Sequence, residues 1–100
     1  MTIFTKEEFS KHIGTEFHVK AGEDEAKLRL AEVKAYMPRA TEDKKMERFS
    51  IFFDGPADAR LPQQLFQMRH AAMGEFEIFL VPISGDESGF RYEAVFNVFK

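Results

Sequence analysis

Three histidines, His12, His18 and His70, and a scatter of carboxylates are the side chains of this sequence best suited to chemistry near neutral pH. His12 and His18 fall in neither an HExxH nor a His–Cys pattern, so their spacing predicts no zinc site. Glu75, Glu77 and Glu93, with Asp54 or His70 on the same surface, would supply a carboxylate pair for acid–base hydrolysis or oxygen ligands for a hard cation. Their spacing is equally that of alternating solvated positions, balanced by Arg69 and Arg91, and this plainer account carries them. The run Gly85-Asp86-Glu87-Ser88-Gly89 contains two acids but lacks EF-hand spacing, and its composition is that of a hairpin loop. Neither a nucleophile elbow, a P-loop nor a GxGxxG fingerprint occurs. No catalytic residue, metal site or cofactor is therefore assigned.

His70 remains, beside an apolar strand end and a tight turn. The structural reading has its ring donating to a turn carbonyl or a carboxylate and holding the Ala71–Gly74 reversal. The functional reading places His70, Tyr92 and Glu93 beside a cavity, as a small-ligand-binding barrel or minor hydrolase would. A ring packed without access to solvent would end the second reading.

The elements that must position these residues follow from periodicity. Thr5-Lys6-Glu7-Glu8 has the form of a capping box, with Phe4 and Phe9 spaced as a hydrophobic staple and Gly14 as terminator, which predicts a short helix over Lys6–Ile13. It is expected to pack on its own domain. Phe17 and Val19 alternate with polar neighbours, giving a strand over Glu16–Ala21 and a turn after it. Lys27–Tyr36 reads as a second strand if a β-bulge near Ala31-Glu32 restores the phase. A short helix is the competing reading, given its Ala, Glu and Lys content. Residues 37–45 read as a solvated loop. In Arg48–Asp54, Phe49, Ile51 and Phe53 face one way, while Phe52 makes the opposite face partly apolar. Asp54-Gly55-Pro56 marks a reversal, and Pro56 and Pro62 stiffen the linker that follows.

Leu65–Phe99 holds two further reversals, Ala71–Glu75 and Ser84–Gly89. Pairing Phe76 with Phe96, Ile78 with Ala94, Leu80 with Tyr92 and Pro82 with Phe90 gathers an apolar face. Pairing His70 with Phe76, Met68 with Ile78 and Phe66 with Leu80 extends it over a third strand. The reverse face carries Phe79, Val81, Val95 and Phe99 among its charges, so it too is expected to be covered, by barrel curvature, by the N-terminal helix or by another subunit.

One hundred residues make one β-rich domain, residues 1–100. With 44% hydrophobic and 31% charged residues the chain is globular in character, and its twelve phenylalanines promise a large aromatic core. A formal charge of -3 gives no general attraction to nucleic acid or an anionic membrane. The Lys44-Lys45-Met46-Glu47-Arg48 run is interrupted by acid and predicts no nucleic-acid site. Cysteine is absent, which excludes disulfides and thiolate chemistry and fits a cytoplasmic protein. No leader-like pattern and no apolar run near 20 residues is read, so no membrane partner is expected.

The segments Leu61-Pro62-Gln63 through His70, Gly74-Glu75-Phe76-Glu77-Ile78-Phe79-Leu80-Val81-Pro82-Ile83 and Tyr92-Glu93-Ala94-Val95-Phe96-Asn97 resemble a family of small bacterial domains of unknown function. That family has an LPQ turn, a histidine, a GEFxxFLVPI-like strand and a closing YEAVFN. The likeness covers the C-terminal forty residues, and Gln64 departs from it where the pattern favours glycine. It implies no catalytic residues, and it implies an association with phage-tail-like or surface assemblies. The expected fold is mainly β, a single compact, strongly curved antiparallel sheet or small barrel of about six strands with one short N-terminal helix. The expected function is a non-enzymatic structural or protein-interaction module within a larger assembly, with a protein partner or self-association.

Overall fold

The computed structural model describes residues 5–36, 46–58 and 60–99. Phe4 of the expected staple, the loop at 37–45 and the lysines of the basic run lie outside these residues. One helix, α1 (Lys6–Ser10), precedes six strands: β1 (Glu16–Ala21), β2 (Asp24–Ala35), β3 (Met46–Gly55), β4 (Gln64–His70), β5 (Gly74–Asp86) and β6 (Gly89–Phe99). All pairings are antiparallel.

The helix begins where a cap was expected. Thr5 has extended backbone, and its Oγ1 accepts a hydrogen bond from the Glu8 N–H. The Glu8 carboxylate does not complete a reciprocal box; it faces Lys11 at 3.5 Å and His12 at 3.9 Å. The helix ends at Ser10 rather than Ile13, and the chain then turns through Gly14 at φ +91°. A helix this short has little stability of its own. Phe9 supplies the anchor: it is fully buried, with its ring 5.4 Å from Phe96, 6.1 Å from Phe49 and 6.3 Å from Phe76.

β2 is a strand throughout, which resolves the helix alternative. The phase break between Leu30 and Val33 is a bulge, seen as a register shift between Leu30 and Glu32. Before it Leu28 and Leu30 point inward; beyond it Val33 packs against the same core. β3 likewise buries Phe49, Ile51 and Phe53 and leaves Phe52 half-buried outside.

The strands run in the order β1-β2-β3-β6-β5-β4, and β1 returns to β4 to close the ring. What the term β-barrel implies, continuous pairing of similar length all round, needs correction. The seam between β1 and β4 consists of three residue pairs, His18↔Arg69, Val19↔Met68 and Lys20↔Gln67. β5 and β6 pair only from Val81↔Glu93 toward their shared turn, with a shift between Pro82 and Ser84. The molecule is therefore a strongly curved six-stranded sheet whose ends meet along a short seam. Its interior holds side chains, including Phe17, Leu30, Met68 and Leu80, each essentially inaccessible.

Both C-terminal hairpins depart from their expected registers. Met68 lies opposite Phe76 rather than Ile78, and His70 opposite Gly74 rather than Phe76, a displacement of two residues. Pro82, not Leu80, faces Tyr92, and Phe76 and Phe96 are not paired at all. The turns explain this. The first is only Ala71–Met73, with Gly74 at φ +78° supplying the left-handed residue of a three-residue hairpin loop. The second is only Glu87-Ser88, where Asp86 Oδ1 accepts from Ser88 N–H at 2.8 Å and Ser88 Oγ at 2.6 Å. Outside the shift between Pro82 and Ser84 the displacement is even, which leaves each side chain on its own face. Phe66, Met68, His70, Phe76, Ile78, Leu80, Tyr92 and Ala94 are accordingly buried as expected.

Candidate functional site

His70 ends β4 and is 5% exposed. The tight turn after it directs two backbone donors back at the ring: Ala72 N–H at 3.0 Å and Met73 N–H at 3.2 Å from Nδ1. Nδ1 must therefore be the acceptor, which places the proton on Nε2. Nε2–H then donates to Thr15 Oγ1 at 2.9 Å, and Thr15 in turn donates to the His12 carbonyl at 2.6 Å. The ring accepts from turn amides and donates to a hydroxyl, so the expected donation to a turn carbonyl or carboxylate is corrected. The cause is the shortness of the loop, which presents N–H groups rather than carbonyls.

The ring is also packed against two others. Phe17 lies 4.1 Å away centroid to centroid and His12 lies 4.7 Å away. Burial, and the neighbouring imidazoles of His12 and His18, lower the His70 pKa below the ordinary histidine value of 6.5. His18 Nδ1 sits 2.9 Å from Glu25 Oε1. Glu25 also receives Arg69 at 3.1 Å. Through these bonds His70 clips the β4–β5 turn to the segment after α1. With both nitrogens engaged, it presents no free atom to a substrate.

Tyr92 and Glu93 do not join it. Tyr92 points inward and is fully buried, with its hydroxyl accepting the Leu61 N–H at 2.8 Å. That bond pins the proline-flanked linker to the core. Glu93, next in sequence on a strand, points outward. Its Oε2 accepts from Ser50 Oγ at 2.7 Å, leaving the Tyr36 hydroxyl to donate to Ser50 at 3.1 Å. The three residues serve three separate places. Tyr36, Ser50 and Thr15 were not singled out by sequence, because a serine between Phe49 and Ile51 on a strand reads as an ordinary solvent-facing position, and only the fold covers Ser50 with Tyr36 and Glu93.

The carboxylates are also dispersed. Asp54 is held by Arg91 at 3.0 Å and by Arg29 at 3.4 Å, and Arg91 reaches Glu32 at 3.7 Å. Glu75 and Glu77 are exposed on β5. Asp86 has its pKa lowered by its two hydrogen bonds from Ser88 and is fully exposed. Among the described residues no group of histidine and carboxylate side chains is arranged to hold a metal ion.

The sequence from residue 4 to residue 96 matches a family described as a domain of unknown function, DUF6916. The chain belongs to that family. The match spans both halves of the DUF6916 domain, from the helix into β6, and thus well beyond the C-terminal segments that carried the resemblance. No curated protein and no solved structure matches it.

What stands out on this DUF6916 domain is apolar rather than polar. Leu65 and Phe79 lie directly opposite each other on β4 and β5 and are 57% and 48% exposed. Val95, on the outward face of β6 two residues past the last β5–β6 pair, is 57% exposed. Val81 beside them is half-buried, and the side chain of Phe99 lies outside the described residues. Of the covers expected for this face, the helix does not supply one: Phe9 of α1 packs on the inward residues Phe49 and Phe96, and Phe79 and Val95 stay open on the single chain. Among the described residues no helix is long and apolar enough to cross a membrane.

Proposed function

We propose that this domain is a non-enzymatic structural module that assembles with further copies of itself, as part of a larger assembly, through the outer face of β4–β6. The observation that carries this reading is the apolar row of Leu65, Phe79 and Val95, whose side chains stand about half open to solvent on adjoining strands. Water contact at such a row is unfavourable by roughly 25 cal/mol per Å² of apolar area, and contiguous apolar surface of this kind marks contact sites. The engagement of His70, Tyr92 and Glu93 in separate structural bonds supports a structural role over the ligand-site alternative.

Sedimentation equilibrium tests it. The expected result is a mass above that of the 11.6 kDa chain, falling to the monomer in Phe79→Glu with the thermal midpoint nearly unchanged. A wild-type chain that stays monomeric at millimolar concentration overturns the reading.

A further inference from the structure

β2 is twelve residues long, but its two edges are used unequally. Asp24–Arg29 pairs with β1 on one side, and only from Arg29 onward does the other side meet β3. Among the described residues no strand pairs with the second edge of Asp24–Leu28. Two local features open it. The bulge between Leu30 and Glu32 bends β2, and β3 stops at Gly55 because Pro56 has no N–H to extend the ladder. The chain then leaves as a loop that returns at Leu61, pinned by its bond to the Tyr92 hydroxyl.

Between that loop and β2 lies a cleft of about 810 Å³. Its β2 wall is formed by the unbroken run of residues 24–29. Successive side chains of a strand point to opposite faces, so a cleft lined by consecutive residues follows the strand's edge, where the backbone groups lie. Ala26, Leu28 and Leu61 form its apolar lining, while Asp24 and Lys27 on one wall face Asp58 and Arg60 on the other.

We infer that this cleft binds an extended peptide segment of a partner protein, which adds to β2 as a further strand. Every second residue of Asp24–Leu28 turns its N–H and C=O away from β1, and a strand is the ligand that satisfies donor and acceptor together at that repeat. The open edge is about 17 Å long at roughly 3.3 Å per residue, enough for five residues of a guest. The loop residues Pro56, Asp58, Arg60 and Leu61 line the side of the cleft opposite β2. Alternation along the guest sets one row of its side chains toward Ala26 and Pro56, which favours small apolar residues, and the other toward the charges of both signs at the rim. This surface is separate from the β4–β6 face, and the inference does not depend on assembly there.

The test is an NMR titration of the ¹⁵N-labelled full chain with the peptide acetyl-Thr-Val-Lys-Val-Glu-Val-Thr-amide. Two further versions carry N-methyl groups on one or the other set of alternate residues. The expected result is shift changes centred on the amides of Asp24–Leu28 and on Ala57, Asp58 and Leu61, with slower hydrogen exchange at alternate amides of β2. One N-methylated version is expected to bind at least about tenfold more weakly, having lost the donors that face β2. No response at millimolar peptide overturns the inference. So does equal binding by all three peptides, or a response centred on Leu65, Phe79 and Val95.

Discussion

At the scale of the residue, His70 gives this domain a stability contribution that depends on pH. Its Nδ1 accepts two backbone N–H groups, so a proton added there meets donors and breaks the clip. The folded chain accordingly resists protonation, and its His70 pKa lies below 6.5. The unfolded chain binds the proton more readily, so the unfolded state gains relative stability as pH falls. The contribution is complete above about pH 6.5, the ordinary histidine value, and is lost as pH falls through the folded value. Urea unfolding of wild type and His70→Gln between pH 7.5 and 5 measures it. The variant is expected to be less stable at pH 7.5 by about 1–3 kcal/mol, the cost of unmaking buried hydrogen bonds, and the gap is expected to narrow toward pH 5. A gap independent of pH would place the loss in packing against Phe17 and His12 instead.

At the scale of the element, α1 exists because of one side chain. Five residues cannot hold a helix in water, and the Thr5 cap contributes about 1 kcal/mol. Phe9 buries a full aromatic ring among Phe49, Phe76 and Phe96. Phe9→Ala is therefore expected to cost about 3–5 kcal/mol and Thr5→Ala about 1 kcal/mol in denaturant unfolding. In Phe9→Ala the amides of Phe9→Ala itself and of Lys11 and His12 lose their protection from hydrogen exchange, while those of β3 and β6 retain most of theirs. Comparable costs for the two substitutions would mean that the cap, not the ring, holds the helix.

At the scale of the whole molecule, association and net charge oppose each other. Copies carrying a formal charge of -3 repel, whereas the face proposed to join them is apolar. Salt screens the repulsion, with a Debye length of about 10 Å at 0.1 M and about 3 Å at 1 M. Self-association measured by sedimentation is thus expected to strengthen as sodium chloride rises from 0.05 to about 0.5 M. Association that weakens over this range would point to ion pairs such as those of Arg69 and Arg91 as its source.

Side-chain alternation, the helix cap and the bulge in β2 were all legible in the sequence, because each depends on neighbours a few residues apart. The faces of β3 to β6 were legible for the same reason: burial requires Phe66, Met68, Ile78, Leu80 and Ala94 on one side whatever the register. Register itself was not, since a two-residue displacement satisfies the same alternation and only the turn length distinguishes the two. The roles of His70, Tyr92 and Glu93 were beyond local reading as well. Their partners Thr15, Leu61 and Ser50 are 55, 31 and 43 residues away, and only folding brings them within hydrogen-bond reach. Sequence alone determined the alternating faces and the start of the helix, while the state of β2 and the helix's end needed the structure. Tertiary structure decided which strand edges and apolar side chains stay open, because openness depends on where distant strands stop pairing.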